Sequence, residues 1–151
     1  MHKFILFYFI PSILSYSYSI IECAGSSSNV YNLCFLLPNG TKLKTTYGSN
    51  GYGIRMKVDS LSKDINSSSA LFEEIQLETK VTSIGRTAQV SHIFTNTGNK
   101  SKKVSLAVHA DAQVSTNDNV PIYKLPNMLG IRLMHNDLIM DICFSSPLDS
   151  I

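Results

Sequence analysis

Asp111, Asp118 and Asn119 are the side chains best placed in this sequence to hold a hard cation. Calcium takes roughly six to eight oxygens from carboxylates, amides and carbonyls. The stretch from Asp111 to Tyr123 offers part of such a set, with no second acidic cluster to complete the shell. Asn and Asp also close ordinary turns by bonding to nearby backbone, so an Asx-turn loop is the competing reading. Calcium at these three residues is the one cofactor the residues suggest. His109 and Asp111 stand two apart, and in an extended strand residues at i and i+2 share a face. Such a pair is a base with its orienter, or half of a metal site, but two residues do not complete a site. No G-x-S-x-G elbow appears. The Gly-rich run Gly48-Ser49-Asn50-Gly51-Tyr52-Gly53 is not followed by Gly-Lys-Ser/Thr, so it is no phosphate loop. No Cys/His spacing suits zinc. The chain is therefore expected to be non-catalytic.

Cys23, Cys34 and Cys143 make an odd count. In an oxidising compartment one pair is expected. Cys34 and Cys143 lie in apolar stretches near opposite ends, and pairing them would tie the first strand to the last. Three unpaired thiols, behaving as small hydrophobes, are the other reading. Three acceptor sequons, at Asn39, Asn66 and Asn99, fall in stretches that read as turns, where a glycan is tolerated.

Those features agree with the N-terminus. Met1-His2-Lys3 precedes the apolar run Phe4–Leu14, a positively charged start and a core of signal-peptide length. Small residues at Ser17 and Ser19 place cleavage after Ser19, with Ala24 the second choice; the latter would remove Cys23. The alternative is an uncleaved anchor, since Phe4–Ile21 approaches the length that spans a bilayer; membrane association is expected only in that case. The domain plan is thus a leader over 1–19, a linker over 20–29, a β-domain over 30–144 and a polar tail over 145–151. Charged residues are 16% of the chain and the net charge is +2. That balance lacks the clustered Lys and Arg of a nucleic-acid footprint. Lys100-Ser101-Lys102-Lys103 reads as a solvated turn.

The elements that must position these residues are strands. From Val104 to Ser115, apolar and polar residues alternate with period two, the pattern of a sheet with one wet side. Thr87–Thr95 reads as its hairpin partner across Asn96–Ser101, with His92 on the apolar side as a core histidine. Val30–Leu37 reads as a buried strand ended by Pro38-Asn39-Gly40, with Thr41–Tyr47 pairing back. Ile54, Met56 and Val58 mark another strand, Lys63–Ala70 a loop, and Leu71–Val81 one continuous strand. Leu129–Met134 and Leu138–Phe144 flank a turn at His135-Asn136-Asp137. Short strands at this spacing predict an all-β chain, an antiparallel β-sandwich.

The strand followed by Phe94-Thr95-Asn96-Thr97-Gly98-Asn99 resembles the N-T-G turn of immunoglobulin-like and fibronectin-like modules of secreted and surface proteins. That resemblance covers about thirty residues and implies a sandwich without catalytic residues. Asn117-Asp118-Asn119-Val120-Pro121-Ile122-Tyr123 is similar to the segment that closes a cadherin repeat and contributes calcium ligands, although Ser115 replaces an acid of that pattern. The expected function is a secreted or cell-surface module that binds a glycan or protein partner. The alternatives are part of a carbohydrate-active enzyme similar to the super-sandwich of sugar mutarotases, with His92, His109, Asp111 and the Glu residues of Leu71–Val81 (Glu73, Glu74, Glu78) as candidate acid and base groups, or a piece of a larger surface protein.

Overall fold

The computed structural model describes the backbone of residues 4–10, and residues 18–24, 30–48, 51–126, 130–136 and 138–145 in full. The described residues form β1 (Phe4–Ile10), β2 (Ser19–Glu22), β3 (Leu33–Leu36), β4 (Lys42–Lys44), β5 (Gly53–Val58), β6 (Leu61–Ile65), β7 (Ser69–Phe72), β8 (Ile75–Ile84), β9 (Thr87–Asn96), β10 (Val104–His109), β11 (Ile122–Lys124), β12 (Gly130–His135) and β13 (Leu138–Phe144). The expected all-β class holds, and every strand pairing is antiparallel. One sheet has the order β11-β12-β13-β1-β9-β8-β7, a second β10-β5-β6 and a third β2-β3-β4; none closes into a barrel. Among the described residues no helix is long and apolar enough to cross a membrane.

A single core joins the three sheets. Ile20, Leu33 and Phe35 enter it from β2 and β3, Ile54, Met56 and Val58 from β5, and Leu77, Val90, Leu133 and Met140 from the large sheet. All ten have 1% or less of their surface exposed. Each such side chain contributes roughly 1.5–3 kcal/mol by leaving water, so period-two alternation is strongly enforced. Along β5 the even positions are buried and Arg55 and Lys57 are exposed. At the edge of the core, Arg132 and Asp141 sit opposite each other on β12 and β13. Their two charge-assisted bonds, each 2.6 Å, accompany an Asp141 that is 7% exposed.

Several local expectations are corrected. Thr87–Thr95 and Val104–Ser115 do not pair. β8 and β1 occupy the two sides of β9, so β10 joins β5 in another sheet. The connection is tied down at both ends: Thr97 N donates to Glu74 O at 2.8 Å, Lys103 N to Asp59 Oδ1 at 2.9 Å, and Asp59 N to Lys103 O at 2.8 Å. β10 ends at His109, because Ala112 bridges to Thr46 and Val114 to Asn117. Leu71–Val81 is not one strand but a hairpin, β7–β8, turning at Glu73 and Glu74, both with positive φ (50° and 63°). Most of Lys63–Ala70, expected as loop, belongs to β6 and β7; β6 is an edge strand exposed up to Ile65, so it lacks a strong apolar pattern. Ile20–Glu22 of the expected linker is strand β2. The hairpins β3–β4 and β12–β13 form as read.

Cys34 pairs with Cys23, not with Cys143. β2 and β3 are neighbours with Ile21 opposite Cys34, and Cys23 N donates to Asn32 O at 3.1 Å. That pairing brings the two Cα atoms to 5.9 Å, within bridging range. Cys143 lies on β13 of the large sheet, opposite Gly130, and keeps its thiol. The bridge needs Cys23, so cleavage after Ala24 would remove one of its sulfurs. Phe4–Ile10, within the expected leader, is the strand between β9 and β13.

Candidate functional site: the polar face of the β10-β5-β6 sheet

Ile54, Met56 and Val58 turn inward, so the outer face of this sheet carries Gly53, Arg55 and Lys57. Register sets Ala107 and Asp64 on either side of Arg55, Ser105 and Ser62 on either side of Lys57, and His109 opposite Gly53. Arg55 and Asp64 meet fork to fork: Nε donates to Oδ1 at 2.8 Å and Nη2 to Oδ2 at 3.0 Å. Both side chains stay more than half exposed, so the pair adds little to stability. The guanidinium bond holds the Asp64 carboxyl below its ordinary range, with a smaller contribution from His109. The same bond raises Arg55.

Gly53 has a steric reason to be glycine. A Cβ there would collide with the imidazole of His109, which lies across it. Beside the ring, the short side chains of Ala107 and Ser105 keep the face low. The result is an open surface with a carboxylate acceptor, a planar cationic donor and an imidazole close together. Such a set can bond the hydroxyls or the carboxylate of a polar ligand. Asp64 was hidden from sequence reasoning because its segment read as a loop; the alternation of Arg55 with Ile54 and Met56 was the available signal.

His109 therefore works with Gly53 and Asp64 in this geometry. Asp111 lies past the end of β10, where its carbonyl accepts from Tyr47 N at 2.8 Å, so the expected shared strand face does not extend to it. Asp111, Asp118 and Asn119 are all exposed. Asn119 N donates to Asn117 Oδ1 at 2.9 Å, an Asx turn. Asn117 Nδ2 contacts His135 Nδ1 at 3.0 Å, which leaves the loop organised around Asn117. Among the described residues no three His, Cys, Asp or Glu side chains are grouped to hold a metal. Asn39, Asn66 and Asn99 are exposed, each in a connection between strands.

A second set of polar groups is buried. Thr45 Oγ1 donates to Leu33 O at 2.7 Å and accepts from Tyr52 OH at 3.0 Å. Thr46 Oγ1 donates to Asn32 Oδ1 at 3.2 Å. Tyr31 stacks on Tyr52 with centroids 4.9 Å apart. Burial pushes Tyr52 up to about 12, against the opposing hydrogen bond to Thr45, and raises Tyr31 strongly. His92 is the core histidine expected, fully buried with Nδ1 3.0 Å from Thr79 Oγ1. These groups knit the core.

Compared with family models, curated proteins and solved structures, the chain gives no match. The functional reading therefore rests on its own residues.

Proposed function

We propose that this chain is an exported, non-catalytic β-sandwich module that binds a glycan or protein partner at the surface of its cell or after release. The observation that carries the reading is the outer face of β10-β5-β6, where Arg55, Asp64 and His109 present donors and acceptors to solvent around Gly53. Two further features support export. Cys23 and Cys34 are bridged, a bond that persists in oxidising compartments. The three sequon asparagines are exposed, where a glycan would meet no core.

The test is a glycan and surface-protein binding panel run on the protein from its own cells, beside Arg55→Ala and Gly53→Ala. Gly53→Ala displaces the His109 ring, and Arg55→Ala removes the donor fork. Each is expected to weaken the bound partner at least roughly tenfold, the scale of one lost charge-assisted bond, with unfolding midpoints nearly unchanged. A partner retained equally by both variants would move the binding site off this face. Bare asparagines and three free thiols would count against export.

A further inference from the structure

The large sheet is two half-sheets joined by one strand. β7, β8 and β9 form one half, β11, β12 and β13 the other, and β1 is the strand between them. Phe4 to Phe9 pair with Ile93 to Ala88 on β9, while Phe7 to Ile10 pair with Phe144 to Asp141 on β13. β1 is antiparallel to both neighbours, so β9 and β13 run parallel to each other. They stand two inter-strand spacings apart, roughly 9.6 Å, too far for direct hydrogen bonds. The strand that fills this seat is also the apolar part of the expected leader.

Resting on the export reading above, we propose that removal of the leader opens a strand-acceptor seat between β9 and β13, filled by an extended apolar segment of a protein partner. The chemistry of the occupant is given by what the seat accepts: Phe-Ile-Leu-Phe-Tyr-Phe-Ile, with no charge and no proline, hydrogen-bonded on both sides. A second copy of the processed chain lacks this segment, and the uncharged, proline-free stretch Val30–Leu37 that it keeps is held in the core and in β3. An emptied seat leaves facing rows of unpaired N–H and C=O groups on β9 and β13, a template for strand addition. The half-sheets remain attached through the core, since Leu77, Val90, Leu133 and Met140 are buried in one cluster.

The experiment uses the protein as released by its own cells. Its N-terminus and native mass are read by mass spectrometry. Amide exchange is then followed with and without the synthetic peptide Phe-Ile-Leu-Phe-Tyr-Phe-Ile flanked by lysines, and with a control peptide carrying a central proline. The proposal expects an N-terminus beyond Ile10. Without an occupant, the amides of 88–93 and 141–144 should exchange at least roughly tenfold faster than with the peptide, the control having no effect. Slow exchange together with a co-purifying polypeptide supports it when an apolar, proline-free segment of that polypeptide is itself protected from exchange in the complex, and overturns it when no such segment is. Slow exchange at the mass of the processed chain alone overturns it, because the half-sheets would have closed on each other. So does fast exchange that the peptide leaves unchanged. An N-terminus that retains Phe4–Ile10 overturns it differently: the seat is then filled by the chain's own strand, and leader removal itself fails.

Discussion

His92 shows how one side chain sets the response of the molecule to acid. Burial lowers its pKa from 6.5 to about 4. The unfolded chain takes up a proton as pH falls through about 6.5, while the folded chain resists until about 4. Stability is therefore unaffected above that window, declines as pH falls through it, and is lower by on the order of 3 kcal/mol at its acid end. Urea midpoints measured at pH 7.5 and 4.5 should show this decline, and His92→Met should flatten it. Equal declines in both proteins would assign the acid sensitivity to other groups. The buried character of His92 was legible from its place among Ala88, Val90 and Phe94. The role of Gly53 was not, because the ring it accommodates lies on a strand 56 positions further along the chain.

The β7–β8 turn is the element at which local chemistry and fold disagree. Both central residues have positive φ, which suits Asn and Gly, yet they are Glu73 and Glu74. The surroundings hold the conformation: Thr97 N and Oγ1 both donate to Glu74 O, at 2.8 and 2.9 Å, and Lys102 Nζ lies 3.6 Å from the Glu74 carboxylate. Replacing the pair by Asn-Gly should relieve the backbone strain and raise stability by about 1 kcal/mol, read as a higher urea midpoint at an unchanged slope. A lower midpoint would mean that the Lys102 contact outweighs the strain. Sequence reading placed one strand here because the turn residues carry no turn signal. At Pro38-Asn39-Gly40 and His135-Asn136 they do, and those hairpins were placed correctly, whereas the turn signal at Asn96-Thr97-Gly98 leads into a strand of another sheet.

For the molecule as a whole, the Cys23–Cys34 bridge fastens β2 to β3, the strand pair that brings Ile20, Leu33 and Phe35 into the core. The two cysteines stand 11 positions apart, a loop whose closure restricts the unfolded chain by about 3 kcal/mol. Cys23→Ala with Cys34→Ala should lower the unfolding free energy by roughly 2–4 kcal/mol. Alkylation of the unreduced, denatured protein should label Cys143 and spare the other two. A peptide joining Cys34 to Cys143 would overturn the pairing.

By itself, the sequence determined the strand class, the inward set Ile54, Met56 and Val58, and the hairpins at Pro38-Asn39-Gly40 and His135-Asn136, because each depends on neighbours within a few residues. It also left Asn39, Asn66 and Asn99 in polar connections. Tertiary structure decided which strands meet. Alternation says which face of a strand is buried, but not which partner offers the matching edge. Only the fold could put β10 beside β5 instead of β9, bring Cys23 to Cys34, and set His109 over Gly53 next to Asp64.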